Sequence, residues 1–294
     1  MAPKVVKTVS VETNNPHEFE DKNVHEVYDA IASHFSSTRY KPWPIIAAFL
    51  SNIPTGWVGL DSGTGNGKYL PLPLERPAAI WTIGLDRSIN LLQLARTAGS
   101  DNVLREVVLG NVLDHCWRTG AFDYAISIAT IHHLATNERR QLAVQVKTYA
   151  LNASERTDRS TLKRLIQSVA PDHGRVLIYV WAIEQDELSK RAIPTEEQDV
   201  GEVQGKDVMV PWVLNTAGSP SDGDKKHSEV FNRYYHMFAN GELSALTMAA
   251  ARSIGLIVGS KPTSDQTGSS EGVEIVQDGW ERSNYYVELR RWKI

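Results

Sequence analysis

The residues best suited to chemistry form a glycine-rich segment, Asp61-Ser62-Gly63-Thr64-Gly65-Asn66-Gly67. It directly follows an apolar run that indicates a β-strand, and its glycines let the backbone turn sharply and approach a ligand closely. The spacing is G-x-G-x-G, whereas a dinucleotide site favours G-x-G-x-x-G, and the Asp61 carboxylate would repel a pyrophosphate. The same carboxylate suits a ligand with ammonium and sulfonium charges, such as the methionine part of S-adenosylmethionine.

Two more positions at predicted strand ends agree with this ligand. Asp86, followed by Arg87, ends the second strand, where a carboxylate can accept hydrogen bonds from both ribose hydroxyls. Asn111 follows the third strand and can accept a hydrogen bond from an adenine amino group. A glycine loop alone is equally consistent with a structural turn, but this agreement favours cofactor binding. The predicted cofactor-binding residues are Asp61, Gly63, Gly65, Gly67, Asp86, Arg87, Asn111, Val112 and Ala129.

A pair of histidines, His132 and His133, follows the fourth predicted strand. Residues at the carboxyl end of a strand in an open α/β sheet face the ligand crevice. Neighbouring side chains point in different directions, so we expect at most one ring to face the reacting groups. For either ring, a hydrogen-bonded structural role is as consistent with the sequence as a general base.

The elements that must position these residues alternate between strands and helices. Strands are predicted at 57–60, 80–85, 103–109, 124–129 and 175–181, and helices at 88–98 and 137–169, the latter interrupted at 152–160. Short apolar strands separated by helices predict a mostly parallel sheet covered on both faces. The predicted class is therefore α/β, a Rossmann-like class I methyltransferase fold. Residues 256–258 and 285–289, after a helix ending near residue 254, suit an antiparallel C-terminal hairpin.

Length and composition predict one domain. We expect a flexible tail at 1–17 and a single domain at 18–294, with a partly disordered insertion around 183–230 that is anchored by the apolar residues 208–214.

No signal peptide or membrane span is apparent, so the expected location is the cytoplasm, with the nucleus as an alternative. Cys116 is the only cysteine, so no metal site is predicted and any zinc must come with a partner. The formal charge of −4 argues against indiscriminate nucleic-acid binding.

A more specific resemblance rests on several longer motifs. The chain resembles the fungal tRNA wobble-uridine carboxymethyl methyltransferases from about residue 24 to residue 289, and the run Arg39-Tyr40-Lys41-Pro42-Trp43-Pro44 is more specific than the glycine loop. The other matching motifs are Gly65-Asn66-Gly67-Lys68-Tyr69-Leu70, Asp86-Arg87-Ser88, Ile131-His132-His133, Tyr179-Val180-Trp181-Ala182-Ile183-Glu184-Gln185, Gln198-Asp199-Val200, Val210-Pro211-Trp212-Val213 and Arg233-Tyr234-Tyr235-His236.

This resemblance implies an activity and a partner. The family esterifies the carboxymethyl group on the wobble uridine in the anticodon loop of certain tRNAs, using S-adenosylmethionine. It works as a heterodimer with a small zinc-binding activator subunit. The chain departs from the family pattern at Ser62 and Thr64, and by extra length at 152–160 and 198–211. We expect the activator to dock near the strand from Val103 to Leu109, an apolar edge with little charge to guard it.

Esterification of a carboxylate needs few catalytic groups, because a carboxylate with a pKa near 4 is already ionised at neutral pH. Arg39 is predicted to orient that carboxylate, Tyr40, Trp43 and Trp181 to stack on the uracil, and a histidine to bond the base or ribose. The predicted catalytic residues are Arg39, His132 and Trp181. The predicted substrate-binding residues are Tyr40, Trp43, His133, Arg282 and Asn284, the last two as phosphate contacts beside a basic C-terminal stretch.

Other functions remain open on the sequence alone. The same cofactor half would serve a methyltransferase of a small molecule or of a protein side chain, and an inactive scaffold subunit could keep the fold. The intact Asp61, glycines and Asp86 count against a scaffold, and the run from Arg39 to Pro44 counts against a small-molecule substrate. A nicotinamide-dependent oxidoreductase is the least favoured class, because the loop spacing and Asp61 oppose it.

Overall fold

The computed structural model describes residues 4–11, 13–100, 102–114, 116–144, 165–187, 189, 191–193, 205–216, 227–262 and 269–294. Its helices are α1 (Pro16–Glu20), α2 (Glu26–Thr38), α3 (Pro44–Ser51), α4 (Ile89–Ala95), α5 (Asn137–Val144), α6 (Leu165–Ser168) and α7 (Glu242–Ser253). Its strands are β1 (Lys4–Val5), β2 (Lys7–Thr8), β3 (Val58–Ser62), β4 (Trp81–Asp86), β5 (Val107–Leu109), β6 (Tyr124–Ile128), β7 (Arg175–Trp181), β8 (Arg191–Ala192), β9 (Lys206–Thr216), β10 (His227–Met237), β11 (Ile257–Val258), β12 (Glu271–Glu281) and β13 (Asn284–Lys293). A π-helical turn, Asp21–His25, joins α1 to α2, and a 3₁₀ turn, Ile131–His133, follows β6.

The central sheet has the strand order β11-β12-β13-β7-β6-β3-β4-β5. Strands β3 to β7 pair in parallel, whereas β13 pairs antiparallel with both β7 and β12. From β3 the chain runs through β4 to the edge strand β5 and then crosses back to β6, on the other side of β3. The loops after β3 and β6 therefore diverge, and open α/β sheets bind ligands at such a point. The predicted α/β class, with a mostly parallel sheet and an antiparallel C-terminal hairpin, is confirmed.

Alternate residues of the buried strands pack on opposite faces of this sheet. On one face, Val176 and Ile178 of β7 join a core that includes Leu246 and Ala250 of α7. On the other face, Tyr124, Ile126, Leu177 and Tyr179 pack with Ile46, Phe49 and Leu50 of α3. This two-residue period, with apolar side chains on both faces, is what a parallel sheet covered on both sides requires. None of the helices in the described ranges has the length and apolar character needed to cross a membrane.

A second sheet, in the order β10-β9-β2, lies against the carboxyl end of β7. Strands β9 and β10 pair along eleven residues each, and Phe238, just after β10, exchanges backbone hydrogen bonds with Trp181 and Ile183. Buried Val208, Val210 and Trp212 alternate along β9, so its apolar residues face inward with a period of two. The predicted anchored residues 208–214 of the insertion at 183–230 lie in β9 of this ladder, and residues 188, 190, 194–204 and 217–226 of that insertion lie outside the described part.

Other predicted elements differ in extent. β5 spans only Val107–Leu109, because the amides of Val103 and Arg105 donate to the carbonyls of Ser100 and Arg96 rather than to β4. The C-terminal hairpin consists of β12 and β13, and β11 pairs in parallel with β12 instead of forming the hairpin itself. Within the predicted tail, β1 and β2 pair with β8 and β9, so these four residues have a fixed place. Of the predicted helix at 137–169, α5 and α6 are described and residues 145–164 are not.

A buried ion pair holds the N-terminal helices over the sheet. Glu20, at the end of α1 and 1% exposed, accepts hydrogen bonds from Nε and Nη2 of Arg139 at 2.7 and 2.6 Å. It also accepts one from the backbone N–H of Ala135 at 2.8 Å, in the loop that follows His132 and His133. The pair therefore fixes the N-terminal segment to the loop at the end of β6.

We predict that Glu20→Gln lowers the free energy of unfolding by about 2–4 kcal/mol, because it leaves the Arg139 guanidinium without its charged partner in a buried place. Glu274→Gln makes the same chemical change at the exposed Arg290–Glu274 pair and should cost less than about 1 kcal/mol. Denaturant unfolding of both variants measures the difference. Equal losses would show that the Glu20 pair does not anchor the N-terminal helices.

Candidate functional site

The glycine loop after β3 has a backbone that side chains would disturb. Gly63, Gly65 and Gly67 have φ angles of +88°, +56° and +74°, in the left-handed region that favours glycine. A Cβ on Gly63 would lie 2.2 Å from Oγ1 of Thr130, so the loops after β3 and β6 touch at this point. No atom lies within 4 Å of a Cβ built on Gly65, which lines the cavity. The loop thus presents bare backbone to open space.

Asp61 lies beneath this loop with one oxygen unsatisfied. Its carboxylate is 1% exposed, and Oδ2 accepts a hydrogen bond from the Thr64 hydroxyl at 2.8 Å. None of the described residues donates to Oδ1, which is buried. Burial, helped by the nearby Asp86 carboxylate, raises the pKa of Asp61 to about 7. A cationic group would satisfy this oxygen and favour the ionised carboxylate.

The end of β4 adds a second carboxylate to the same cavity. Asp86 accepts hydrogen bonds from the backbone N–H groups of Gly65 and Ser88 at 2.8 and 2.9 Å, and each oxygen keeps a further lone pair. Burial raises the pKa of Asp86 above its usual value. Ser88 also caps α4 by accepting from the Leu91 N–H, which fixes the start of that helix. Arg87 pairs with Asp21 at 2.5 Å while lining the cavity.

The ends of β5 and β6 complete this part of the cavity. Asn111 and Val112 both line it, and the Asn111 side-chain oxygen accepts a hydrogen bond from the Leu113 N–H at 2.9 Å, forming a local turn. Ala129 has φ +54°, which is uncommon for a residue with a side chain and is held by a 2.7 Å hydrogen bond from its N–H to the Tyr179 carbonyl. Seven of the nine predicted cofactor-binding residues therefore line the cavity, whereas Asp61 lies buried beneath the glycine loop and Gly67 packs against Ala95.

Both predicted histidines line the cavity beyond Ala129. That at most one ring faces the reacting groups stays a prediction. His132 is fully buried, and its Nδ1 accepts a hydrogen bond from the Trp181 N–H at 3.1 Å. His133 donates from Nδ1 to the Tyr234 carbonyl at 2.9 Å, so its Nε2 is an acceptor. Burial lowers the pKa of His133 to about 3, so this ring is neutral at physiological pH. The two rings pack edge to face, which explains how neighbouring residues share one cavity.

Trp181 and Tyr235 form the aromatic wall next to these histidines. Their rings are parallel, with an interplanar angle of 4° and centroids 4.0 Å apart. Tyr235 comes from β10, and its hydroxyl lies 2.8 Å from that of Tyr28 on α2. The second sheet and the N-terminal helix therefore both contribute to the cavity.

Arg233, two residues before Tyr235 on β10, places a guanidinium in the same region. It lines the cavity, is 4% exposed, and donates from Nη1 to the Tyr28 hydroxyl at 3.3 Å. The rings of Trp212 and Tyr235 lie 4.6 and 5.3 Å from its central carbon. Among the described residues, no carboxylate lies within ion-pair distance of it.

The mouth of the cavity carries two further cations. Arg39 ends α2 with its side chain exposed, and its guanidinium lies 5.6 Å from the Trp212 ring centre. Lys68 Nζ lies 4.2 Å from the ring centre of Trp43, which packs in turn on Tyr179. Burial, and repulsion from Arg39, lower the pKa of Lys68 to about 8. Arg39, Trp43 and Lys68 all line the cavity.

Three predicted substrate-binding residues do not line this cavity. Tyr40 is 65% exposed beside Arg39. Arg282 and Asn284 belong to the tight turn between β12 and β13, where the Asn284 amide donates to the Arg282 carbonyl at 2.6 Å. Asn284 pairs with Trp181, the last residue of β7, so the turn lies at the carboxyl end of β7, where the site also lies. Asn284 thus has a structural role as well, since its amide closes the turn.

Sequence reasoning missed Tyr28, Lys68, Arg233 and Tyr235 as site residues. Lys68, Arg233 and Tyr235 served only as parts of matching motifs, and the latter two are two residues apart. Their spacing of two on a strand was the available signal, because such residues share one face. The cavity and the open solvent at its mouth together occupy about 1170 Å³. In the described part of the chain, no group of three or more His, Cys, Asp and Glu side chains could hold a metal ion.

Comparisons with known proteins agree with this geometry. A family profile described as a methyltransferase domain matches residues 60–148. The crystal structure of Burkholderia thailandensis 1,6-didemethyltoxoflavin-N1-methyltransferase, with S-adenosylhomocysteine bound, superposes with a TM-score of 0.55 over 99% of both chains at 16% identity. This likeness shows a shared methyltransferase fold.

Relatives in sequence are more specific. The tRNA (carboxymethyluridine(34)-5-O)-methyltransferase of Schizosaccharomyces pombe is 36% identical over 278 residues, covering 92% of this chain and 96% of that protein. The protein of the same name from Saccharomyces cerevisiae is 41% identical, covering 69% of this chain and 61% of its own length. A mouse relative, ALKBH8, is 33% identical over 93% of this chain, which spans 44% of that longer protein. With the glycine loop, Asp86 and the diverging strands of a methyltransferase in place, this near full-length similarity shows that the chain belongs to the tRNA (carboxymethyluridine(34)-5-O)-methyltransferase family.

Proposed function

We propose that the chain transfers a methyl group from S-adenosylmethionine to the carboxylate of 5-carboxymethyluridine at position 34 of tRNA, giving the methyl ester. The observation that carries this proposal is a single cavity that runs from the glycine loop to a cationic, aromatic end formed by Arg233, Trp181 and Tyr235. The first end suits a cofactor with positive charge. The second end suits a flat base with an anionic substituent.

The residues at the first end fit S-adenosylmethionine. The buried, unsatisfied Oδ1 of Asp61 suits the ammonium group, and the spare lone pairs of Asp86 suit the ribose hydroxyls. Asn111 and Val112 would border the adenine, and Ala129 would border the reacting end. When bound, S-adenosylmethionine supplies an electrophilic methyl group.

The chain's own residues need to orient the substrate and exclude water. A carboxylate is ionised at neutral pH, so no general base is required. His132 and Trp181 are buried beside the second sheet and would exclude water from the reacting groups. His133 is neutral and can accept a hydrogen bond from the base. Holding two reactants in line in this way can lower the activation barrier by roughly 7–11 kcal/mol.

The surface around the mouth suits the rest of the tRNA. Arg39 and Lys68 place positive charge there, where phosphates of the anticodon loop would lie, and Trp43 offers a ring for stacking. Tyr40 extends this surface, since it is exposed beside Arg39. Arg282 extends it further, from the turn at the carboxyl end of β7. These roles explain a local basic patch on a chain with a net charge of −4.

A partner subunit would cover the edge strand β5. Val103, Leu104 and Leu109 are 44%, 62% and 58% exposed, and among the described strands the β5 backbone has a neighbour on one side only. Unpaired strand groups flanked by exposed apolar side chains invite another strand to add to the sheet. We place the small zinc-binding activator of the heterodimer at this edge.

The direct test combines the chain, with and without the activator, with labelled S-adenosylmethionine and tRNA that lacks the terminal ester. After digestion, we expect the label in the methyl ester of the wobble uridine. Asp86→Ala should weaken cofactor binding by at least about tenfold, because the ribose loses its acceptors, and should lower labelling accordingly. The proposal is wrong if the heterodimer leaves the wobble uridine unlabelled; label on a protein or a small molecule would support those alternatives instead.

The raised pKa of Asp61 predicts that cofactor affinity depends on pH. The free site holds a largely protonated carboxyl at pH 6, whereas a cationic ligand requires the ionised form. The association constant should therefore rise about five- to tenfold from pH 6 to 7.5, with a proton released on binding at the lower pH. Calorimetry in two buffers measures both effects. Asp61→Asn should bind weakly at either pH; an unchanged pH profile in this variant would contradict the assignment.

Substitution of the edge strand should separate the partner from the enzyme. Leu109→Asp introduces a charge into the proposed contact and should abolish co-purification with the activator. Ile257→Asp makes a similar change on β11, at the opposite edge of the sheet, where Ile257 is 50% exposed, and should leave the complex intact. Loss of the complex with Ile257→Asp alone would place the partner at the other edge.

A further inference from the structure

Arg233 differs from other buried arginines of this fold in what surrounds it. Arg291 is buried against Glu271 at 2.7 Å. Buried Arg140 has no ion pair among the described residues, but it donates from Nη1 to the Leu134 carbonyl, and its charge helps to lower the pKa of the nearby Asp207 and Glu242 carboxyls. Arg233 is just as enclosed, but among the described residues no carboxylate faces it from α2, β9, β10 or the 3₁₀ turn. Burying a charge without a counter-ion is unfavourable unless a ligand supplies one.

The groups around Arg233 leave part of it unsatisfied. Aromatic rings of Trp212, Tyr235 and Tyr28 lie 4.6, 5.3 and 5.7 Å from the guanidinium carbon. Ring faces stabilise the positive charge, but they do not replace hydrogen-bond acceptors in the plane of the guanidinium. Its only acceptor among the described residues is the Tyr28 hydroxyl, 3.3 Å from Nη1, and its Nε is buried without one. These three rings therefore stabilise the charge of Arg233, while N–H donors of its guanidinium remain available to a bound ligand.

We infer that Arg233 binds the carboxylate of the substrate's carboxymethyl group and makes the enzyme select this acid over the corresponding amide. This inference rests on the proposed function and names the contact that the function requires. A guanidinium offers donors in a fork that matches both oxygens of a carboxylate. A carboxamide brings an NH₂ group, whose hydrogens would oppose those of the guanidinium, and it brings no charge.

The position of Arg233 fits this role. The parallel rings of Trp181 and Tyr235 form the neighbouring wall, and Tyr235 also lies beside the guanidinium. A uracil held along this wall carries its carboxymethyl group on a single CH₂, so the base and the carboxylate must occupy adjacent places. Esterification removes the negative charge, so Arg233 would hold the product less tightly than the substrate, which favours release.

Arg39 is the alternative receptor, and its surroundings suit another task. Its side chain is exposed at the mouth, and its Nη1 donates to the neighbouring Thr38 carbonyl at 3.3 Å. An exposed guanidinium is screened by solvent and discriminates weakly between an anion and a neutral group. Arg39 can therefore attract the tRNA backbone without reading the wobble substituent.

The test compares two tRNAs that differ only at position 34, one with 5-carboxymethyluridine and one with 5-carbamoylmethyluridine. The acid serves as substrate, and the amide is measured as a competitor. We expect the wild-type heterodimer to bind the acid at least about 100-fold more tightly than the amide. Arg233→Gln should reduce this preference to within about fivefold, while the dissociation constant for S-adenosylmethionine stays within about twofold of wild type. Arg39→Gln should weaken both tRNAs alike and keep the preference.

The outcomes separate the inference from the function on which it rests. If the wild-type heterodimer esterifies the acid but Arg233→Gln keeps the preference, or Arg39→Gln loses it, Arg233 is not the receptor. Wild-type enzyme that binds acid and amide equally overturns the inference without any variant, which covers the case in which Arg233→Gln fails to fold. Arg233→Lys, which keeps the charge but not the fork, should retain a preference between the two extremes. No esterification by the wild-type heterodimer would instead reject the proposed function.

Discussion

Strand β3 lies between β4 and β6, and the loops that leave β3 and β6 diverge because the chain continues toward opposite sides of the sheet. The cofactor end of the site depends on this divergence. It opens the crevice, and it brings Gly63 against Thr130, so that no side chain fits at position 63. It also buries Asp61 directly beneath the opening, with one oxygen unsatisfied. A cationic cofactor is therefore the ligand that the centre of the sheet is best built to receive.

The substrate end of the cavity is built by elements outside the central sheet. Arg233 and Tyr235 come from the long β9–β10 ladder, which is joined by backbone hydrogen bonds to the end of β7. Tyr28 comes from α2, and the buried Glu20–Arg139 pair connects the start of that helical segment to the loop after His133. In this arrangement the central sheet binds the cofactor, and the added elements select the substrate.

Sequence reasoning found the parts of the site that depend on local pattern. The loop from Asp61 to Gly67, Asp86 at a strand end and the turn after β6 each follow directly from a short apolar strand, so their position could be predicted. Arg233 could not be placed in this way, because its neighbours Tyr28 and Trp212 are distant in the chain and meet it only through long-range pairing. The same limit explains why residues 208–214 were predicted only as an anchored apolar patch within the insertion and not as part of a strand. Their polar flanks hid a strand whose partner begins at residue 227.

The charges of the cavity give a consistent account of the reaction. Asp86 lines the cofactor end, with Asp61 buried beneath the loop, and Arg233, which has no carboxylate partner among the described residues, lines the substrate end. His133 stays neutral between them because burial lowers its pKa to about 3. An anionic nucleophile and a cationic methyl donor are thus each matched by the opposite charge, and no proton has to move. Positioning then accounts for catalysis.

A crystal structure of the heterodimer with S-adenosylhomocysteine and 5-carboxymethyluridine tests most directly whether Arg233 binds the substrate carboxylate. We expect the cofactor product on the loop from Asp61 to Gly67, and both carboxylate oxygens within hydrogen-bond distance of the Arg233 guanidinium. The uracil should lie along Trp181 and Tyr235. A carboxylate bound instead by Arg39 at the mouth, or left in solvent, would contradict it.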